Sequence, residues 1–451
     1  MNDNASNGDD PMADIKSNVI NAKSAAIMLS AADTKAKDNA LNAMADALDA
    51  SRKKIIDANE KDMSAALKMK EAGELTDSMV KRLIVNNEKM DGMIAGIKDV
   101  IKLKDPAGET MSTMELDDGL TLYQIRCPIG LIGVIFESRP DVVPQVMSLC
   151  LKSGNAVVFK GGKEASNTNK AIFDVLSEAA YRTGIPKGSF CLMETREDVS
   201  AILEMDGQID LLIPRGSNEF VRYIQSNTKI PVLGHAAGIC HVYVDADADT
   251  EKALSVSLDS KIQYPAVCNA VENLLVNKAI AKAFLPKMVE LFVNNGVEVR
   301  ADEETIGIVG KDKVKKAKTA DWDTEYNDMI ISIKMVDSLD EAIDFINKHG
   351  SKHTDSIVTE NMRNALRFSE LVDSSSVLVN ASTRFSDGFR YGKGAEVGIS
   401  TNKVHSRGPV GMEGLMIYKY VLVGNGHIVK DYAGKNAKKF KHVAIDKDFK
   451  L

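Results

Sequence analysis

Cysteine is sparse and unpatterned: the five residues at 127, 150, 191, 240 and 268 form no Cys-x-x-Cys pair and stand at no metal-ligand spacing from histidine. That argues against a zinc site and against a disulfide framework, and it suits a reducing compartment. No metal is expected. Long apolar runs are missing too, with nothing approaching the roughly 18 residues of a membrane span. The opening Met1 to Asp14 is polar and acidic, without the apolar core of a signal peptide, and reads as a flexible N-terminus on a cytoplasmic protein. Positive charge is not in excess: 57 Lys+Arg against 64 Asp+Glu leave a net charge of −7. An extended basic face is therefore not expected, nor partnership with nucleic acid or membrane. The lysine-rich end, 435–450, reads as a solvated tail. Gly-x-Gly-x-x-Gly is absent, so any nucleotide must be held by other turns.

What is present is ordinary globular material, 44% hydrophobic and 27% charged over 451 residues, enough for two or three domains. Leu41, Met44, Ala45 and Leu48 recur at helical spacing within a region of two or three amphipathic helices from Asn18 to Lys70. The apolar run Leu131 to Phe136 suits a strand buried on both faces. Helices near 143–153 and 167–181 alternate with strands near 156–159, 210–213 and 240–244. After residue 268 the alternation resumes, with strands near 273–276, 329–336, 356–359 and 376–380 and helices near 279–295, 338–349 and 361–372. The pattern predicts two parallel α/β layers with a boundary near 245–250. Leu122 to Arg126 and Leu415 to Val423 together suit an exposed ribbon for self-association.

Cys268 lies in Gln263-Tyr264-Pro265-Ala266-Val267-Cys268-Asn269, where proline ends a helix and an apolar run follows. The thiol is expected on a loop, near the start of the second domain and facing the first, as a nucleophile or as a buried structural cysteine. Lys160-Gly161-Gly162-Lys163-Glu164-Ala165-Ser166 leads from a strand into a helix, and Leu211 to Asn218 repeats the design with Arg215, Gly216 and Ser217. Both turns suit phosphate or ribose, and both also suit plain exposed turns, with Ser217 as a helix cap. The polar, glycine-studded block from Asn380 to Pro409 suits an amino-acid substrate, with Arg384 or Arg407 to pair with a carboxylate.

These segments, together with Pro214-Arg215-Gly216 and Cys240 to Asp245, resemble the glutamate-5-semialdehyde dehydrogenase (gamma-glutamyl phosphate reductase) family of the aldehyde dehydrogenase superfamily. The resemblance runs from about Ile15 to Gly426. It implies an aldehyde-dehydrogenase-like α/β fold: an NADPH-binding domain (15–120 and 129–247), a catalytic domain (248–411) and an oligomerisation ribbon (121–128 and 412–426). The implied reaction is NADPH-dependent reduction of L-glutamyl 5-phosphate to L-glutamate 5-semialdehyde, in proline biosynthesis. Carried over residue by residue, Cys268 resembles the catalytic thiol and Lys160 the residue near the adenosine ribose. Gly161, Gly162 and Lys163 complete that turn. Arg215, Gly216 and Ser217 resemble the segment facing the dinucleotide phosphates, and Glu325 the acid that takes the nicotinamide ribose hydroxyls. Asn380, Thr383 and Arg384 fall where the amino-acid end of the substrate is expected, and Arg139 where the acyl phosphate would bind. Val232 stands where oxidising relatives carry a water-activating glutamate, which speaks against the alternative of a hydrolytic aldehyde dehydrogenase. A cysteine hydrolase using His235 or His405 as base is a further rival. Expected partners are the small-molecule substrate, further copies of the chain, and glutamate 5-kinase in a transient complex.

Overall fold

The computed structural model describes residues 11–194 and 198–450. The chain forms two compact units, one holding residues up to 216 with 223–232 and everything from 411, the other holding 217–222 and 233–410. Of the expected flexible N-terminus, residues 1–10 lie outside the described residues, and the remainder opens the helix Pro11–Leu29.

The first unit is built on a four-stranded parallel sheet ordered Phe190–Met193, Ala156–Gly161, Leu131–Phe136, Leu211–Arg215. Leu131–Phe136 is central and buried at every position, as an apolar strand with no polar alternation must be. Helices cover the sheet. In Thr34–Ala50 the side chain of Asp33 caps the first turn, and Leu41, Met44, Ala45 and Leu48 form the buried stripe that their spacing predicts.

A second sheet in this unit is antiparallel, ordered Met416–Val423, Leu120–Pro128, Thr110–Asp117, Val443–Ala444. It contains the expected ribbon strands and is wider than expected. The lysine-rich end is not simply a solvated tail: Val443–Ala444 pairs with Met114 and Glu115, because the open edge of Thr110–Asp117 offers backbone groups that a passing strand can satisfy.

The second unit carries a seven-stranded parallel sheet ordered Lys315–Lys316, Glu298–Ala301, Ile330–Val336, Val271–Asn277, Cys240–Val244, Thr354–Val358, Ser376–Val379. The boundary expected near 245–250 is thereby displaced. Cys240–Val244 pairs on both sides within this sheet, and all five of its residues are buried. A strand with two buried faces fits either sheet equally well by sequence, and only its hydrogen-bond partners decide the matter. Among the described residues no helix is long and apolar enough to cross a membrane.

Candidate active site

Three chain segments enter adjacent parallel strands of the second unit from the same edge. Cys268 lies three residues ahead of Val271–Asn277, His353 immediately ahead of Thr354–Val358, and His235 five residues ahead of Cys240–Val244. Cys268 Sγ lies 3.1 Å from His353 Nε2, and His353 Nδ1 lies 2.8 Å from Thr354 Oγ1. The thiol is half-buried on the loop between the helix Thr250–Ile262 and the strand, so a small substrate can reach it. Gly238 sits against this loop. A Cβ there would lie 2.5 Å from Cys268 Cα and would overlap its carbonyl oxygen, so only glycine lets the two backbones approach.

Other cysteines are chemically quieter. Burial pushes the Cys240 and Cys150 thiols well up, and that of Cys127 up as well. Cys240 thus stays protonated, and its thiol donates to the Cys268 carbonyl at 3.2 Å. Four residues beyond Cys268, Glu272 and Lys261 form an ion pair of 2.7 Å with both side chains fully buried. Burial raises the Glu272 carboxyl to about 7 and lowers the Lys261 ammonium, each opposed by the charge of the other.

The C-terminal block divides in two. Asn380, expected at the substrate, follows the other end of its strand: its amide exchanges hydrogen bonds of 2.9 Å with both backbone groups of Thr359, and its backbone holds a positive φ of 54°. Those contacts join two strand ends and leave Asn380 a structural residue on the far edge from Cys268. The chain then turns back. Thr383 N–H donates to Ser260 Oγ, Arg384 Nε donates to Gln263 Oε1 at 2.9 Å, and the Ser386 carbonyl accepts from Asn269 beside the thiol. Thr383 is fully buried and its hydroxyl has no hydrogen-bond partner. Arg384 is buried to 7% exposure; burial lowers its pKa, Arg390 adds to the effect, and the Cys268 thiol opposes it.

Arg407, the other arginine considered for a substrate carboxylate, is committed to Asp373 at 3.1 Å, and Lys403 and Lys352 meet the same carboxyl. Lys403 foremost, with Lys352 and Arg407, holds Asp373 down from the usual 3.8 to about 2. A depressed carboxyl stabilises the fold above its unfolded value, and that contribution disappears as pH falls through the folded one. Loosening of residues 401–407 is therefore expected between about pH 4 and pH 2, read as faster hydrogen exchange in that segment, with no such step in Asp373→Asn.

In the first unit, Phe136 pairs with Gly161 on one side and Arg215 on the other, so both glycine turns and the Glu137-Ser138-Arg139 segment leave the sheet at one level of its carboxyl edge. Ligands of open parallel sheets bind at that edge. Lys160 is buried and donates to the Gly161 carbonyl at 2.6 Å, while Lys163 meets Glu74 at 3.2 Å. A Cβ on Gly161 would strike the Asn169 amide, and one on Gly162 the Glu164 carboxylate. Glu164 accepts from both N–H and Oγ of Ser138, fixing its positive φ of 49° next to the half-buried Arg139. Ser217 Oγ accepts from Phe220 N–H, as a helix cap does. Within the second unit, Asn218 donates to Glu325 at 2.7 Å.

One expected anion site is already filled. The N-terminus of the helix Ser166–Arg182 is capped by Asp62 from another helix, whose carboxylate accepts from Thr168 N–H at 2.7 Å, Thr168 Oγ1 at 2.6 Å and Asn167 Nδ2 at 2.8 Å. That carboxylate takes the positive helix end which a phosphate would otherwise use. Lys160 and Arg215 both lie along this carboxyl edge of the sheet.

His353 escaped sequence reasoning because it is 85 residues from Cys268 and belongs to no motif. The only available signal was its place just ahead of the strand expected near 356–359, which the structure separates by one strand from that following Cys268.

The sequence profile described as the aldehyde dehydrogenase family matches residues 6–320. The gamma-glutamyl phosphate reductase of Methanosarcina mazei is 62% identical over 440 residues, covering 97% of this chain and 98% of the relative. That of Methanococcoides burtonii is 64% identical, covering 96% and 97%. The crystal structure of gamma-glutamyl phosphate reductase from Thermotoga maritima superposes with a TM-score of 0.88 at 42% identity, covering 92% of this chain and 99% of that one. With identity sustained over nearly the whole length of both chains, this protein belongs to the aldehyde dehydrogenase family, among its gamma-glutamyl phosphate reductases.

Proposed function

We propose that the chain reduces L-glutamyl 5-phosphate to L-glutamate 5-semialdehyde with release of phosphate, as the second step of proline biosynthesis. The observation that carries this reading is the Cys268 thiol set 3.1 Å from an imidazole, in a chain 62% identical to a gamma-glutamyl phosphate reductase along its length. His353 Nε2 takes the thiol proton, and the Cys268 sulfur attacks the acyl carbon. The carbon–oxygen bond to phosphate breaks, the leaving oxygen takes its electron pair and the proton from His353, and a glutamyl thioester remains on Cys268. The Cys268 amide N–H is the proposed donor to the carbonyl oxygen as charge develops there, a type of contribution worth about 10² to 10³ in rate. NADPH, when bound, supplies the hydride. The C–S bond of the resulting thiohemiacetal then breaks to release the aldehyde and regenerate the thiolate, which is reprotonated through His353.

Lys160, Gly161, Gly162, Lys163, Arg215, Gly216, Ser217 and Glu325 are the proposed contacts for NADPH, and Arg139 for the acyl phosphate. A hydrolytic aldehyde dehydrogenase needs a base where Val232 stands, an apolar residue only 9% exposed. The test supplies glutamate 5-semialdehyde and NADP⁺ with or without inorganic phosphate. A strict phosphate requirement is expected, and NADP⁺ reduction without phosphate would overturn the reading.

Arg384 is the proposed partner of the substrate's α-carboxylate, with Thr383 beside it. Arg384→Lys loses the planar fork, so KM for the acyl phosphate should rise about 10- to 100-fold, in keeping with ~1.5–3 kcal/mol for a charged hydrogen bond. NADPH affinity, measured by fluorescence titration, should not move.

A further inference from the structure

Cys268, His353 and His235 each offer a ligand atom within 4.8 Å of the other two. We propose that the Cys268 sulfur with the Nε2 atoms of His353 and His235 forms a three-ligand site for a thiophilic divalent cation, Zn²⁺ above all, and that occupancy silences the thiol. The site goes beyond the reductase reading: it needs only the free Cys268 thiol and holds whether or not that thiol is the nucleophile of the reaction. Its three ligands are scattered at 235, 268 and 353, which is why cysteine and histidine spacing in the sequence points to no metal.

Geometry supports it. Tetrahedral zinc with Zn–S near 2.3 Å and Zn–N near 2.0–2.1 Å sets ligand atoms about 3.3 to 3.6 Å apart. The Cys268–His353 pair already stands at 3.1 Å, and the His235 and His353 rings meet edge to face with centroids 4.9 Å apart. Side-chain movements of about 1 Å bring the set to ligand distances. Hydrogen bonding sets the tautomer of His235: its Nδ1 lies 2.8 Å from the Ile399 carbonyl, which can only accept, so Nδ1 carries the proton and Nε2 presents its lone pair. A backbone carbonyl behind a ligating histidine is the usual outer support of a metal site. Thr354 Oγ1 stands 2.8 Å behind His353 Nδ1, and its hydroxyl accepts when Nδ1 carries the proton and Nε2 turns its lone pair to the metal.

The ligand set chooses the metal. One thiolate and two imidazoles with no carboxylate favour Zn²⁺ over Mg²⁺ or Ca²⁺. Three protein ligands leave a fourth position for water, and Cys268 and His235 are only half-buried, so the ion is exchangeable. Binding forms a sulfur–metal bond and releases one thiol proton to solvent. The sulfur lone pair is then no longer available to attack a carbonyl.

Co²⁺ alone, added to the full chain, reports the ligands directly. A thiolate-to-cobalt charge-transfer band and tetrahedral d–d bands are expected, and Zn²⁺ should displace them. The charge-transfer band should be lost in Cys268→Ser, and affinity should fall more than about 100-fold in His235→Phe, beyond the loss caused by removing an outer-shell partner. In the unmodified protein, Zn²⁺ should protect Cys268 from iodoacetamide, read by peptide mass spectrometry, a measurement that depends on no variant. Cobalt binding without the charge-transfer band, unchanged affinity in His235→Phe, or unprotected alkylation at saturating Zn²⁺ would each overturn the site. Absence of phosphate-dependent turnover in the metal-free protein, with these signals appearing when metal is added, would count against the reductase reading and not against the metal site.

Discussion

Cys268→Ser should lower turnover by at least about 10⁴-fold, the scale on which removal of a catalytic nucleophile acts. NADPH affinity should remain within about twofold, since the proposed nucleotide contacts lie elsewhere in the chain. The serine hydroxyl is far less acidic than a thiol, and an imidazole 3.1 Å away cannot make up the difference. A companion substitution separates chemistry from folding. His353→Gln keeps a polar side chain beside Thr354 but accepts no thiol proton, so iodoacetamide should label Cys268 more slowly at neutral pH. Mass spectrometry of the wild-type protein mixed with acyl phosphate and no NADPH should find a glutamyl adduct on Cys268. Undiminished turnover in Cys268→Ser would reject the nucleophile.

Lys261→Met should cost about 3 to 5 kcal/mol of stability, because it leaves the Glu272 carboxylate buried and without its counter-charge. The double variant Lys261→Met, Glu272→Leu removes both charges and should recover most of that loss, since the desolvation of two buried ions roughly offsets their attraction. Urea midpoints of the wild type, Lys261→Met, Glu272→Leu and the double variant at one pH measure the coupling. Additive losses would mean that the pair is not the interacting unit shown by its 2.7 Å contact.

Much of the architecture was legible from local pattern. The buried strand Leu131–Phe136, the stripe of Thr34–Ala50 and the helix Ser166–Arg182 each follow from apolar periodicity, which short-range sterics and burial impose on any chain of this pattern. The loop position of Cys268 followed from Pro265 and the apolar run beyond it. Elsewhere local pattern was insufficient. Asn380 and Arg384 are four residues apart in one polar block, yet one is spent on Thr359 at one edge of the sheet while the other returns to Gln263 near the thiol. The helix start at Ser166 looked like an anion site, and nothing nearby in sequence reveals that Asp62 occupies it.

Sequence by itself determined most element types, the parallel α/β class and the loop position of the candidate thiol, because periodicity, turn residues and a family's motifs are written locally. Only the tertiary structure decided which histidine meets Cys268, which arginine is engaged by Asp373, and which sheet receives Cys240–Val244. Those outcomes depend on strand order and register, through which hydrogen bonds between distant segments bring residues 85 positions apart to within 3.1 Å.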